Sequence, residues 1–233
     1  MKRLVLFDID GTLLLCGKAP RNAITQAMIK IFGTAGPVDQ FPFSGKTDPQ
    51  IIFELMQASC IADDVIQAGL QRAIADYIAA LETTLQSIDI RILKGVEKLL
   101  EQLAGHEDIV LGLLTGNVVQ GAQIKLSRAG LEHYFFNGTS PLGAFGSDSM
   151  HRNELPAIAV ERAKAIKHRH FTEKEIAIIG DSPSDVLCGK SLNVKSIAVA
   201  TGWHKTDELK NYDPDFTFED LSVTDKVMEA ILQ

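Results

Sequence analysis

At 233 residues the chain has room for one large domain, or for a domain carrying an insert, with a substantial core. Its apolar share of 45% and charged share of 23% are those of a soluble globular protein, and no apolar stretch approaches the roughly 20 residues of a spanning helix. A formal net charge of −7 argues against nonspecific binding to nucleic acid or to an anionic membrane, so a small anionic substrate would need a local cation.

The chain opens Met-Lys-Arg and runs into Leu4-Val5-Leu6-Phe7, which reads as a buried strand. The run is too short for a secretory signal. It ends in Asp8-Ile9-Asp10-Gly11-Thr12, two carboxylates and a glycine turn. Strand residues alternate sides, so Asp8 and Asp10 can project the same way from the carboxyl end. Two carboxylates held close repel unless a cation sits between them or one is protonated. One can bind a hard metal and attack an electrophile while the other handles protons.

Residues 16–90 hold no convincing strand. Ile24, Ala27, Met28 and Ile31 form one helical stripe, and Ile51, Leu55 and Met56 a second. Ile66, Leu70, Ala73, Ile74, Tyr77, Leu81 and Leu85 form a longer third. Roughly 75 residues are too many for a simple crossover, which predicts a small helical bundle placed over a sheet. Phe41 to Pro49 reads as the loop before its second helix. Lys46, in that loop, can meet a substrate anion.

From residue 91 a strand and helix rhythm sets in. Val96, Leu99, Leu100 and Leu103 predict a helix before a strand at Ile109 to Leu114. Val119, Ala122, Leu126 and Ala129 predict the helix after it. Tyr134 to Phe136 is a very short strand candidate, and Asn137-Gly138-Thr139 reads as a turn. Pro156 signals a helix carrying Ala159, Ala163 and Ile166, and Lys167 to His170 form its solvated basic end. Further strands are predicted at Ile176 to Ile179 and Ser196 to Ala200. Trp203 is expected to be packed, His204 to lie at the surface, and Phe216 and Phe218 to be core. The alternation implies an α/β fold, a doubly wound parallel sheet with helices on both faces. The expected division is a core of residues 1–15 and 91–233, with an all-helical cap of residues 16–90 inserted after the first strand. Cys16, Cys60 and Cys188 are odd in number and far apart, which fits reduced thiols in a cytoplasmic protein rather than disulfides or a zinc site.

Three of these strands end in polar clusters: Asp8 to Thr12, Thr115-Gly116-Asn117, and Gly180-Asp181-Ser182-Pro183-Ser184-Asp185. Open α/β sheets bind ligands beyond the carboxyl ends of their strands. If the three strands neighbour one another, Asp8, Asp10, Thr115, Asn117, Asp181 and Asp185 converge. Aspartates without a Cys or His set favour magnesium, which commonly shares its sphere with phosphate oxygens. A carboxylate nucleophile attacking phosphorus would form an aspartyl-phosphate. The amides of Gly116 and Asn117, near a helix start, suit phosphate oxygens. Helix capping is the plainer reading of Thr115, Asn117, Asp181 and Asp185.

On these motifs the chain resembles a haloacid dehalogenase-like hydrolase of the phosphatase type over essentially its whole length. Asp8 to Thr12 matches the first family motif, Thr115 the second, and Gly180 to Asp185 the fourth. The helical insert is similar to the caps of the phosphoglycolate phosphatase and β-phosphoglucomutase branch. The resemblance implies Asp8 as nucleophile and Asp10 as acid and base. It implies magnesium held by the Asp8 carboxylate, the Asp10 backbone carbonyl and Asp181, with Asp185 ordering metal waters or the basic residue. Thr115 and Asn117 would contact the phosphoryl group. The third motif departs from the pattern, because Met150 to Pro156 occupies the place of the family's lysine. Arg152 is the candidate replacement, with Lys164 as the second. The implied partner is a small-molecule phosphate ester, acted on by a monomer or homodimer. A phosphomutase would use the same residues. A dehalogenase would need neither Asp10 nor Asp181, and a non-catalytic magnesium or phosphate sensor would bind without turnover.

Overall fold

The computed structural model describes residues 2–136 and 141–233, so the turn expected at Asn137-Gly138-Thr139 lies outside the described residues. Strand β1 (Arg3–Phe7) is central in a six-stranded parallel sheet. On one side it pairs with β4 (Ile109–Leu114), beyond which lies β5 (Gly143–Ala144). On the other it pairs with β6 (Ile176–Gly180), followed by β7 (Lys195–Val199) and β8 (Phe216–Phe218). The chain therefore changes direction across the sheet at β1, which opens a crevice at its carboxyl end.

Both faces of the sheet are covered, which is why β1 reads as an unbroken apolar run. Val5 and Phe7 face a core built with α4 (Val96–Ala104), α5 (Val119–Arg128) and α9 (Thr224–Leu232). Leu4 and Leu6 face the opposite core, with α6 (Leu155–Lys167) and Cys188 of α7 (Pro183–Cys188). Full burial of each such side chain contributes about 1.5–3 kcal/mol. The short helix α8 (Thr206–Lys210) covers the β7 and β8 edge through Leu209.

The helical layer holds α1 (Ala19–Phe32), α2 (Asp48–Ala58) and α3 (Asp63–Leu85). Their buried faces carry the predicted stripes: Ile24, Ala27 and Met28; Ile51, Leu55 and Met56; and Ile66 to Leu85. A two-stranded antiparallel ribbon, β2 (Leu14–Leu15) with β3 (Arg91–Ile92), joins the chain where it enters and leaves this layer. Its strands are two residues long, too short to show periodicity in the sequence. The cap is seated on the core through the start of α2. Thr47 caps α2 by accepting the Gln50 N–H, and its hydroxyl donates to the Met150 carbonyl at 2.9 Å. The Asp48 N–H donates to the Gly116 carbonyl at 2.8 Å.

Two expectations are corrected. Tyr134 to Phe136 is not a strand: Glu132–Tyr134 form a 3-10 turn after Gly130, with the Phe135 N–H bonded to the Glu132 carbonyl. Its apolar character serves packing instead, since the Phe135 ring meets Phe7 edge-on at 6.3 Å. Phe216 and Phe218 are half-buried on an edge strand, not interior.

Candidate active site

The three polar strand ends converge as expected, around a cavity of about 540 Å³ beneath the cap. Asp8 and Asp10 both line it, as do Thr115, Gly116, Asn117, Arg152, Asp181 and Lys46. Asp185 stands just behind this wall.

Asp8 follows β1 and is held by its N–H to the Ile179 carbonyl at 2.9 Å. Its Oδ1 lies 3.4 Å from Arg152 Nη2. Arg152 comes from a 3-10 turn, Arg152–Glu154, that leads into α6, and it is buried. The same Nη2 makes a short ion pair with Asp185 Oδ1 and reaches the Leu114 carbonyl at 3.4 Å. Asp185 Oδ2 in turn accepts from the Ser182 N–H at 3.0 Å and the Ser182 hydroxyl at 2.6 Å. Asp185 therefore closes the capping box of α7, whose N-cap is Ser182, and also anchors Arg152. Asp181 Oδ1 accepts from the Thr12 hydroxyl at 3.0 Å. Lys164 is exposed on α6 beside Glu161 at 3.5 Å and takes no part in this cluster.

The chain is shaped closely around Asp181. Gly11 has φ +91°, and a Cβ there would fall 2.4 Å from Asp181 Oδ2. A Cβ on Gly202 would fall 1.8 Å from the same oxygen. Thr201 fixes the second loop by donating from its hydroxyl to the Gly11 carbonyl at 2.6 Å.

Carboxylate oxygens of Asp8, Asp181 and Asp185 lie within 4.8 Å of one another. Three buried carboxylates face one guanidinium. Burial pushes the Asp8 carboxyl up to about 6, with Arg152 opposing and Asp185 and Asp10 adding repulsion. Burial, then the charges of Asp185 and Asp8, hold Asp181 well above the ordinary carboxylate range. An all-oxygen donor set with surplus negative charge fits a hard divalent cation such as magnesium. Asp8 and Asp181 would hold it.

Asp10 has different neighbours. Its Oδ2 accepts from Asn117 Nδ2 at 2.8 Å and from Lys125 Nζ at 2.6 Å. Lys125 also donates to Asn117 Oδ1 at 2.6 Å, and Asn117 Nδ2 donates to the Thr115 hydroxyl at 2.8 Å. Thr115 thus accepts from Asn117 and keeps its own O–H to donate. Asp48 approaches from the cap, with Oδ2 accepting the Val118 N–H at 2.9 Å. The plainer capping reading of Thr115 and Asn117 does not hold: α5 begins at Val119 with Val118 as its N-cap, and its first N–H groups are taken by Asp48 and Ser147. The amides of Gly116 and Asn117 accordingly precede the helix instead of forming its first turn.

Lys125 and Asp48 are absent from the sequence reading above. Lys125 is 2% exposed and lies on the face of α5 that carries Ala122 and Leu126. A charged residue on that apolar stripe was the available signal. Asp48 falls in the segment expected as loop, yet Thr47-Asp48-Pro49 is a helix-start sequence, and α2 begins at Asp48.

Lys46 lines the cavity, but its Nζ pairs with Glu54 at 2.8 Å. Trp203 is 88% exposed at the cavity rim, which corrects its expected packing. Cys16 and Cys188 are buried and Cys60 is exposed, all three free. Burial pushes the Cys16 and Cys188 thiols up to about 12, so neither is a ready nucleophile.

Residues 5–199 match the model of the haloacid dehalogenase-like hydrolase family. The chain belongs to that family. It is 26% identical over 239 residues to "Probable phosphatase IndB" of Dickeya dadantii, covering 100% of this chain and 96% of that one. It is 22% identical to a phosphoglycolate phosphatase of Colwellia psychrerythraea, covering 94% and 93%. Among solved structures, a predicted phosphatase from Clostridium acetobutylicum superposes with a TM-score of 0.73 at 18% identity, covering 98% and 99%. A β-phosphoglucomutase-like protein from Bacteroides vulgatus gives 0.69 at 19% identity, covering 99% and 89%. These likenesses support the hydrolase fold with its helical cap. Among the described residues no helix is long and apolar enough to cross a membrane.

Proposed function

We propose that this protein is a magnesium-dependent phosphatase that hydrolyses a small-molecule phosphate monoester, with phosphoglycolate phosphatase as the nearest functional parallel. The observation that carries the reading is the unequal setting of the two aspartates after β1. Asp8 lies among carboxylates against Arg152, while Asp10 is held apart by Asn117 and Lys125. In this reading Asp8 attacks phosphorus, and the P–O bond to the leaving group breaks as an aspartyl-phosphate forms. Asp10 gives its proton to the leaving oxygen. It then takes a proton from the water that attacks the phosphorus, releasing phosphate and restoring Asp8. Arg152 steadies the charge of Asp8 and of the phosphoryl oxygens, and Thr115 donates its O–H to one of them. A bound magnesium ion would supply charge neutralisation at Asp8 and the phosphate, lowering the proton affinity that burial imposes on Asp8. The cap, taken as residues 16–90, excludes bulk water during the reaction. We place the enzyme in the cytoplasm, with its cysteines reduced, as a monomer or homodimer.

The test is phosphate release from a panel of phosphoglycolate, sugar phosphates and nucleotides, with magnesium or with EDTA, for the native chain and Asp8→Asn. Release that needs both magnesium and Asp8 is expected. Release that survives Asp8→Asn would remove the mechanism. Isomerisation of a sugar phosphate without net release would convert the reading to a phosphomutase, and binding without turnover would convert it to a sensor.

A further inference from the structure

We propose that Lys125 is a positioning residue for Asp10, and that Asp48 makes this positioning depend on a seated cap. The inference rests on the reading of Asp10 as acid and base.

An acid and base must present one oxygen in a fixed place. Asp10 sits in a turn rather than a strand, with its N-terminal neighbours in β1 and its C-terminal ones in the ribbon. Nothing in that turn fixes its side-chain torsions. Two donors on one oxygen do: Lys125 Nζ and Asn117 Nδ2 both hold Oδ2. Among the described residues no donor takes Oδ1, which is left for the substrate. Asn117 is itself held by Lys125 on its other atom, closing a triangle of three bonds. The carboxylate is thereby aimed by a buried amine on a helix, not by the loop that carries it.

The amine needs counter-charge. Lys125 is almost fully buried, and a buried ammonium is costly unless paired. Its charge acts on two carboxylates, Asp10 from the core and Asp48 from the cap. Asp48 is locked by the Val118 N–H, the Tyr77 hydroxyl of α3, and its own N–H on the Gly116 carbonyl. Tyr77 belongs to the cap with Asp48, but the bonds to Val118 and Gly116 exist only while α2 lies against the core. Lifting the cap removes Asp48 and opens Lys125 to water, which loosens the donor that aims Asp10. The acid and base is thus assembled by closure, while the nucleophile's partners, Arg152, Asp181 and Asp185, all belong to the core.

The experiment separates aiming the proton donor from holding the site together. Dinitrophenolate leaves without a proton, so phosphoryl transfer from dinitrophenyl phosphate to Asp8 does not require Asp10. An alkyl phosphate does require it. With magnesium present, Lys125→Met is expected to lose about 100-fold in turnover of the best alkyl phosphate, the lower range of a general-acid effect. It should still release a burst of one dinitrophenolate per protein at close to the native rate, followed by slow turnover. A merely structural role would remove burst and alkyl turnover together, and that result would overturn the proposal. So would alkyl turnover within about threefold of native, far below a general-acid effect. Asp48→Asn is expected to lose less, and the double variant to be no worse than Lys125→Met alone, because the two act through one link. Independent, multiplying losses would overturn the cap's part. The double variant removes one charge of each sign, so it carries the test if Lys125→Met proves unstable. A native protein that releases nothing from any ester would instead overturn the phosphatase reading beneath it.

Discussion

Asp8 and Asp10 stand two residues apart and are built into the molecule by different means. Around Asp8, the charged side chains gathered from elsewhere in the chain come from the core: Arg152 before α6, Asp181 after β6 and Asp185 in α7. Around Asp10, the partners are Asn117 and Lys125 from the core, backed by Asp48 from the cap. The first set has three carboxylates to one cation and is incomplete without a further positive charge. The second has two carboxylates to one cation, with its remaining hydrogen-bonding needs met by Val118 and Tyr77. The lesson is a division of labour within one crevice. In the mechanism we propose, the nucleophile is fixed by the sheet and would be completed by a metal, whereas the proton carrier is aimed by a bond network that the cap finishes.

Arg152 offers the strongest way to break this comparison. Arg152→Met leaves Asp8 and Asp185 buried without their cation, and removing one partner of such a pair costs about 3–5 kcal/mol. We expect loss of turnover together with a large fall in urea stability. Arg152→Lys keeps the charge but replaces a planar fork by a point charge. It is expected to fold and to retain a small fraction of activity. Lys125→Met is expected to cost less stability than Arg152→Met, because the Asp10 side chain is 39% exposed and can turn to water. Equal costs would erase the distinction between the two sides.

Gly202 sharpens the same contrast without touching a charged group. Its φ lies outside the left-handed region, so alanine there adds only a methyl group, directed onto the Asp181 carboxylate. Gly202→Ala should raise the magnesium concentration for half-maximal activity at least about tenfold, a shift of 1.4 kcal/mol. The dinitrophenolate burst at saturating magnesium should be little changed. An unaltered magnesium requirement would take Asp181 out of the metal site.

Much of the nucleophile's side was legible in the sequence, and for a physical reason. Asp8, Thr115 and Asp181 directly follow predominantly apolar runs, with Asp185 one helical turn beyond Asp181, and a strand buried on both faces has to be such a run. The place at each strand end then sets the meeting point. Arg152 is a candidate only through the resemblance, which marks its segment as the place of the third motif, and its burial is what the sequence does not show. The other side was legible only in part. Asp10 and Asn117 lie in the same motifs, but Lys125 is polar on a helix whose period places it inward, and hydrophobic patterning passes over it. Asp48 is separated from Lys125 by 77 positions and meets it only after the cap docks. The short strands β2, β3 and β5 carry two residues each and leave no period to read.

The smallest expected effect is in the pH dependence, and it separates the two sides by their response to metal. In the magnesium-free protein, burial raises Asp8 and Asp48 from an ordinary 3.8 to about 6, and holds Asp181 well above the ordinary carboxylate range. The folded state therefore keeps protons that the unfolded chain releases. Stability from these groups is full below about 3.8 and is lost as pH rises through about 6. On the proposed reading, magnesium would compete with protons at Asp8 and Asp181 but not at Asp48. The gain in melting temperature on adding magnesium should therefore widen from pH 5 to pH 7.5. Each kcal/mol moves the midpoint by about 2–4 °C in a chain of this size. The slope that remains in saturating magnesium belongs to Asp48, and Asp48→Asn should flatten it. If magnesium alone removed the whole slope, the cap carboxylate would share the metal's field, and Asp8 and Asp10 would belong to one electrostatic unit rather than two.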